Sequence, residues 1–360
     1  MKNKLVVLIS GGGTGGHIFP AVAIGKAIQA KYPDAQIEFV GAKDKMEMQK
    51  VPEAGFKIHG LWISGLQREL TLKNLSFPFK LLSSIYGSWK LIRKIKPHVV
   101  IGVGGFASGP LLFVANALKI PTLLQEQNSY PGITNKMLAS KANKICVAFP
   151  DMDRFFPKEK IVFTGNPLRP DILKEKLSKG KARTAMGLLE NPKTILIIGG
   201  SLGARTVNRA IEAGLNAFEE AGIQILWQTG KFYDGEAKPY GIRTEFIKDM
   251  STAYDCADLV ISRAGALSIA ELCAKSKPCI LIPSPNVAED HQTKNAMALV
   301  NRNAAKIITD KHAGDELVKS AIELCHDEAQ LQALSAAIST LAVSDATDRI
   351  LIEIESLLNV

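Results

Sequence analysis

Five cysteines (Cys146, Cys256, Cys273, Cys279, Cys325) are an odd number, and no two are spaced as CxxC. A disulfide framework and a cysteine zinc site are therefore not expected; the thiols read as reduced core residues of a cytoplasmic protein. HExxH, a DxD framed by apolar residues and a His/Cys cluster are all absent, so no metal site is expected. No apolar run reaches the length that crosses a bilayer. The apolar part of MKNKLVVLIS is too short for a secretory leader and runs straight into a glycine loop, which marks it as a buried first strand. Also missing is an acid at the end of the second strand, where a dinucleotide fold holds its ribose. Val40-Gly41 stand there, with Asp44 beyond, which counts against an NAD enzyme.

What is present is a globular composition. The 360 residues are 46% hydrophobic, enough for two domains. Charge is uneven. Residues 1–166 hold 22 Lys and Arg against 10 Asp and Glu, and residues 167–360 hold 22 against 25. A net of +12 in the first part calls for an anionic partner there: nucleic acid, an anionic membrane surface or a phosphorylated lipid.

Strand and helix signals alternate along the chain, the mark of an α/β fold with parallel sheets. The apolar run Leu5 to Ile9 leads into Gly11, Gly12, Gly13, Thr14, Gly15, Gly16 and His17, then into AVAIGKAIQA. That order is strand, glycine loop, helix N-terminus, a natural seat for phosphate. The glycines also fit the dinucleotide fingerprint, or a tight turn holding nothing. Strand His98–Val103 runs into Gly104-Gly105, with Pro110 at a helix start. PTLLQEQN (121–128) reads as a strand ending in polar residues. Gly165 to Pro170 is a hinge rich in breakers. A charged helix is expected over 171–190. TILIIGGSLGAR then repeats the opening plan with Gly199-Gly200-Ser201. The tail DRILIEIESLLNV has helical spacing and is expected to pack back on the first domain.

His17 is a general-base candidate, its unperturbed pKa of ~6.5 suiting neutral catalysis, or else a capping or packing histidine. Gly104-Gly105 and Ser201 can present donors to a diphosphate. Ser268 and Glu271 fall on the first turns of the next helix. Glu271 can hold a ribose diol or answer the helix dipole. Glu289 to Gln292 and Asn295 are placed to read sugar hydroxyls. Residues 70–97 mix Phe77, Phe79, Leu81, Leu82, Tyr86 and Trp89 with Lys73, Lys80, Lys90, Arg93, Lys94 and Lys96. They fit either an anionic bilayer or a helix packed on the sheet with a solvated basic face.

Taken together, GGGTGGHIFPA, GGFASGP, QEQNSYPGITNK, GNPLR, GGSLGAR, TEFIKDM, RAGALSIAE and EDHQTKNA resemble, in order and spacing, the bacterial lipid II-forming peptidoglycan glycosyltransferases. The resemblance spans residues 4 to about 310. It implies a GT-B fold: two Rossmann-like domains with parallel sheets facing across a cleft. The implied divisions are an acceptor and membrane-associating domain (1–164), a hinge (165–170), a UDP-GlcNAc-binding domain (171–340) and a C-terminal helix (341–360). The implied reaction moves N-acetylglucosamine from UDP-GlcNAc to the 4-hydroxyl of undecaprenyl-linked lipid I, inverting at the anomeric carbon without metal or cofactor. A UDP-GlcNAc 2-epimerase of the same fold is the alternative.

By the same resemblance, the backbone at Ile247 meets uracil and Glu271 the ribose. Ser201, Ala266, Leu267 and Ser268 face the donor diphosphate, and Asn128 and Arg169 are donor-site positions. Gln292, with His291 and Asn295, reads the sugar. Thr14, Gly15 and Gly16 border the sugar and the acceptor, and Gly13, Gly104 and Gly105 the acceptor diphosphate. Gln125 and Phe106 stand where the family often has His and Tyr, which leaves His17 as leading base and Glu126 as an alternative or orienting residue. Peripheral attachment to the cytoplasmic face of the inner membrane is implied, with other cell-wall synthesis proteins as partners and no nucleic acid.

Overall fold

In a computed structural model describing residues 4–65 and 76–358, the chain forms two compact units. One is Met1–Pro167 with Asp345–Val360, the other Leu168–Ser344. Residues 70–75 of the basic aromatic stretch, Lys73 among them, lie outside the described residues.

The first unit is built on seven parallel strands: β1 (Val6–Gly11), β2 (Gln36–Ala42), β3 (Lys57–Leu61), β4 (Val99–Gly104), β5 (Thr122–Glu126), β6 (Lys144–Val147) and β7 (Ile161–Phe163). Their order is β3-β2-β1-β4-β5-β6-β7. Side chains alternate across a strand. Val7 and Ile9 therefore join one core with the helices Gly15–Lys31 and Ala346–Leu358, while Leu8 joins another with the helices Phe77–Ile95 and Ser108–Ala117. Burial on both faces is why β1 reads as an unbroken apolar run. The helix Ala346–Leu358 is tied in by ion pairs Lys31–Glu355 (2.6 Å) and Lys144–Glu353 (2.8 Å).

The second unit repeats the plan with β8 (Thr194–Ile198), β9 (Gln224–Gln228), β10 (Gly241–Thr244), β11 (Leu259–Ser262), β12 (Cys279–Leu281) and β13 (Lys306–Ile307), ordered β10-β9-β8-β11-β12-β13. Both sheets carry the doubly wound, Rossmann-like order expected from the sequence. In each, the order reverses beside the first strand, where ligands of open α/β sheets bind outside the carboxyl ends. Among the described residues no helix is long and apolar enough to cross a membrane.

One expected element is much shorter. The charged stretch 171–190 is helical only over Lys179–Ala185. Before it the chain is held in irregular form: Ile172 is buried, Leu177 donates its N–H to Asp255 Oδ2 (3.0 Å), and Ser178 is extended. Tertiary bonds override helix propensity there.

The amino ends of the second sheet hold a charged cluster around the buried Asp258. Asp258 pairs with Arg183 and Lys179, both at 2.5 Å, and accepts the N–H of Thr194 at 2.8 Å. Nearby, Lys277 is 3% exposed and donates to the carbonyl of Ala257 (2.9 Å). Burial first, then repulsion from Lys176 and Lys179, brings its ammonium down to about 8. The unfolded chain holds that proton to a higher pH, so stability rises from about pH 8 upward and the penalty is fully present below it. Lys277→Met should raise stability at pH 7 by about 1–2 kcal/mol and flatten the rise above pH 8. Calorimetry at pH 7 and at pH 9.5 checks both.

Candidate active site

At the carboxyl end of the first sheet, two loops lie against each other. β1 and β4 pair with an irregularity where Ser10 meets Gly102 but Gly11 meets Gly104. This re-aims the β4 end, as bulges near active sites do. Gly12 N–H then donates to Gly104 O (3.3 Å), and Ser108 Oγ reaches Gly104 O (2.9 Å) and Ser10 O (3.0 Å). Gly104 and Gly105 have φ of +107° and +92°, a region side chains avoid. A Cβ on Gly105 would also stand 2.4 Å from Gly12 O.

The helix Gly15–Lys31 starts at Thr14, which is extended and makes no side-chain cap. Gly15 and Gly16 are its first residues, so their N–H groups point outward for a ligand. His17 follows on the first turn. Its Nδ1 lies 3.0 Å from Gly12 O. A carbonyl only accepts, so Nδ1 carries the proton and Nε2 is the basic atom. The ring rests on Gly104, where an added Cβ would meet Nε2 at 2.8 Å. Burial holds the imidazole below its ordinary value, against the opposing effects of Gly12 O and Glu47. His17 thus makes no helix cap; it is an oriented, neutral base candidate.

Glu126 is buried at the end of β5. Oε1 accepts from Asn128 N–H (3.1 Å) and Asn128 Nδ2 (3.2 Å), Oε2 from Gly132 N–H (3.2 Å) and Asn135 Nδ2 (2.8 Å). Burial raises its pKa, and these donors pull the other way. With four donors on two oxygens, Glu126 has the geometry of a residue that shapes the loop carrying Asn128. This also ends the strand two residues short of the expected Asn128.

In the second unit, Glu271 lies on the helix Ala266–Ala274, which starts after Gly265 and presents Ala266, Leu267 and Ser268 in its first turn. Arg169 reaches Glu271 Oε1 through Nη2 (3.0 Å) and Nε (3.1 Å), and Tyr254 OH donates to Oε2 (2.9 Å). Burial raises Glu271, with Arg169 the largest opposing influence. Ser201 is exposed beside Gly200 (φ +85°). Ile247 donates its N–H to Gln228 Oε1 (2.9 Å), so that N–H is committed within the fold. Gln292 accepts Ser284 N–H (2.8 Å) and Asn295 Nδ2 reaches Ala264 O (3.4 Å), tying the loops after β11 and β12 together. Glu289 and Asp290, just before His291, both have positive φ (+55° and +49°), which marks the helix start as strained.

Comparison with known proteins agrees with this layout. Residues 7–147 match the glycosyltransferase family 28 N-terminal domain and residues 194–350 its C-terminal domain. The chain belongs to glycosyltransferase family 28. Curated relatives in the family include proteins of Cytophaga hutchinsonii (54% identical, covering 98% of this chain and 97% of that one) and Phocaeicola vulgatus (52%, covering 98% and 96%). Both are named UDP-N-acetylglucosamine–N-acetylmuramyl-(pentapeptide) pyrophosphoryl-undecaprenol N-acetylglucosamine transferase. The crystal structure of Acinetobacter baumannii MurG superposes with a TM-score of 0.77 at 28% identity, covering 98% of this chain and 99% of that one.

Within this family 28 chain, Gln125 has a structural task. It donates to Asn166 Oδ1 (3.1 Å), and Asn166 donates to Gln127 O (3.0 Å). Phe106 lies against Gly65. Three residues escaped the sequence reading. Tyr254 lies on a buried helix and Gln228 on a buried strand, and a polar group on such an element is the detectable signal. Glu47 sits in KDKMEMQK, a string that reads as solvated, yet its carboxylate is buried and accepts Gly13 N–H. Among the described residues no group of three or more His, Cys, Asp or Glu is arranged as a metal site.

Gly104→Ala should lower stability by about 1–3 kcal/mol through its positive φ. It should also displace the His17 ring, cutting turnover far more than nucleotide affinity; thermal melts and nucleotide titration separate the two effects.

Proposed function

We infer that this chain transfers N-acetylglucosamine from UDP-GlcNAc to lipid I, the muramoyl-pentapeptide diphospho-undecaprenol, forming lipid II for peptidoglycan. The observation that carries this is identity above 50% along nearly the whole chain to transferases named for that reaction. A 2-epimerase reading has no comparable support, and it predicts turnover without a lipid acceptor.

The mechanism we propose is inverting and independent of metal. His17 Nε2 takes the proton of the acceptor 4-hydroxyl as that oxygen attacks the anomeric carbon opposite the departing UDP. Gly12 O holds the tautomer that leaves Nε2 free for this. N–H groups at the starts of the helices Gly15–Lys31 and Ala266–Ala274, with Ser201, suit the two diphosphates. Arg169 and Tyr254 fix Glu271 where it can accept from a ribose diol. Gln292, His291 and Asn295 read the sugar. Gly13, Gly104 and Gly105 leave room for the acceptor diphosphate.

The acceptor carries a polyprenyl tail, and the first unit has a surface suited to the membrane that holds it. Phe79, Leu82, Tyr86 and Trp89 are exposed along one side of the helix Phe77–Ile95, with Phe113 exposed on the adjoining helix. Arg93 lies over the Trp89 ring, 5.6 Å from its centre, and Lys90 and Lys94 follow on the same helix. Apolar side chains among cations fit the cytoplasmic, anionic face of the inner membrane.

His17→Ala should abolish most acceptor-dependent transfer of radiolabelled UDP-GlcNAc while leaving UDP binding near normal; unchanged turnover removes His17 from the chemistry. The transfer should survive EDTA. Because burial lowers His17, kcat/KM should stay flat through neutral pH and fall only below the ordinary histidine value. Trp89→Ser with Phe79→Ser should weaken cosedimentation with anionic vesicles without changing transfer to a short-chain soluble acceptor.

A further inference from the structure

We infer that Glu47 orients the base His17 and sustains its basicity through the peptide group joining Gly12 to Gly13. This rests on reading His17 as the base. Gly13 N–H donates to Glu47 Oε2 at 2.9 Å, and Gly12 C=O accepts from His17 Nδ1–H at 3.0 Å. That N–H and that C=O belong to one planar, conjugated peptide group. A carboxylate on its N–H side pushes electron density toward its oxygen, and hydrogen bonds in such a chain strengthen one another in a low-dielectric site. The order is carboxylate, peptide, imidazole, with Nε2 at the working end.

The surroundings hold Glu47 to this task. It is 1% exposed, and its other oxygen accepts Ala42 N–H (3.0 Å) at the end of β2. The carboxylate is thereby pinned between two backbone N–H groups. Two glycines make its slot. A Cβ on Gly12 would lie 2.2 Å from Glu47 Oε1, and one on Gly41 2.5 Å from its Cγ. Gly13, at φ +86°, turns the peptide so that its N–H faces Glu47. That N–H is thus committed inward and is not offered to a phosphate. Among the described residues, the only charge that raises the basicity of His17 is Glu47; the β4 loop packed on the ring contributes uncharged Gly104.

The test compares wild type, Glu47→Gln, Glu47→Asp and His17→Ala with UDP-GlcNAc and a lipid I analogue. Glu47→Gln keeps the size but sets an NH2 group against one of the two N–H donors. It should lower kcat about tenfold or more, change KM for UDP-GlcNAc less than about twofold, and move the acid limb of kcat/KM to lower pH. Glu47→Asp keeps the charge and should recover part of that limb. In wild type, 15N NMR of labelled histidine should find the His17 proton on Nδ1, a readout that needs no variant to fold. A proton on Nε2, or a Glu47→Gln enzyme with wild-type kcat and acid limb, overturns the role of Glu47 alone. A fully active His17→Ala enzyme overturns the base reading, and this inference with it.

Discussion

The first unit's site depends on one close approach, the backbone of Gly105 lying on the backbone of Gly12. No side chain fits between them. That contact closes the carboxyl ends of β1 and β4 into one surface and sets Gly104 under the His17 ring. The second unit uses the same device between different strands. A Cβ on Gly203 would stand 2.2 Å from Thr229 O, and one on Gly230 2.1 Å from Gly203 N, so there the loops after β8 and β9 touch. Two units with one strand order thus differ in which loops are pressed together. In the mechanism proposed above, one contact serves a base and the other a nucleotide.

The second sheet also divides its polar groups along the strands. In the second unit the amino ends carry Asp258, Arg183 and Lys277, buried and bonded within the fold, with the exposed Lys179 paired to Asp258. The carboxyl ends carry Ser201, Ile247, Ser268 and Gln292 on loops and helix starts. Charge at the amino ends bears on stability and its pH dependence, whereas the groups at the carboxyl ends are those the proposed mechanism assigns to ligands. A substitution's consequence can be anticipated from the end on which it falls.

Much of this was legible in the sequence. Strand, glycine loop and helix follow from local chemistry that a short window displays, and the two sheets have the expected order. The glycine clusters pointed correctly to the two loop systems. What stayed hidden needed contacts distant in sequence. Glu47 looks solvated until the fold closes Gly12 and Gly41 around it. Gln228 gains meaning only when Gly200 and Ile247 meet on either side of it. The helix expected over 171–190 fails because Asp255, far along the chain, takes a backbone N–H that a helix would have used. Short-range pattern places the elements; the groups that steer them are recruited from afar.

The helix Ala346–Leu358 belongs to the first unit although the whole of the second precedes it in the chain. During synthesis the ribosome therefore delivers a complete second unit while the first still lacks a wall. Until that helix arrives, Ile18, Ile24 and Ile28 of the opening helix share a core whose partners Ile350 and Ile354 are absent. The unit begun first is finished last, and in the interval its apolar flank is what a chaperone would meet.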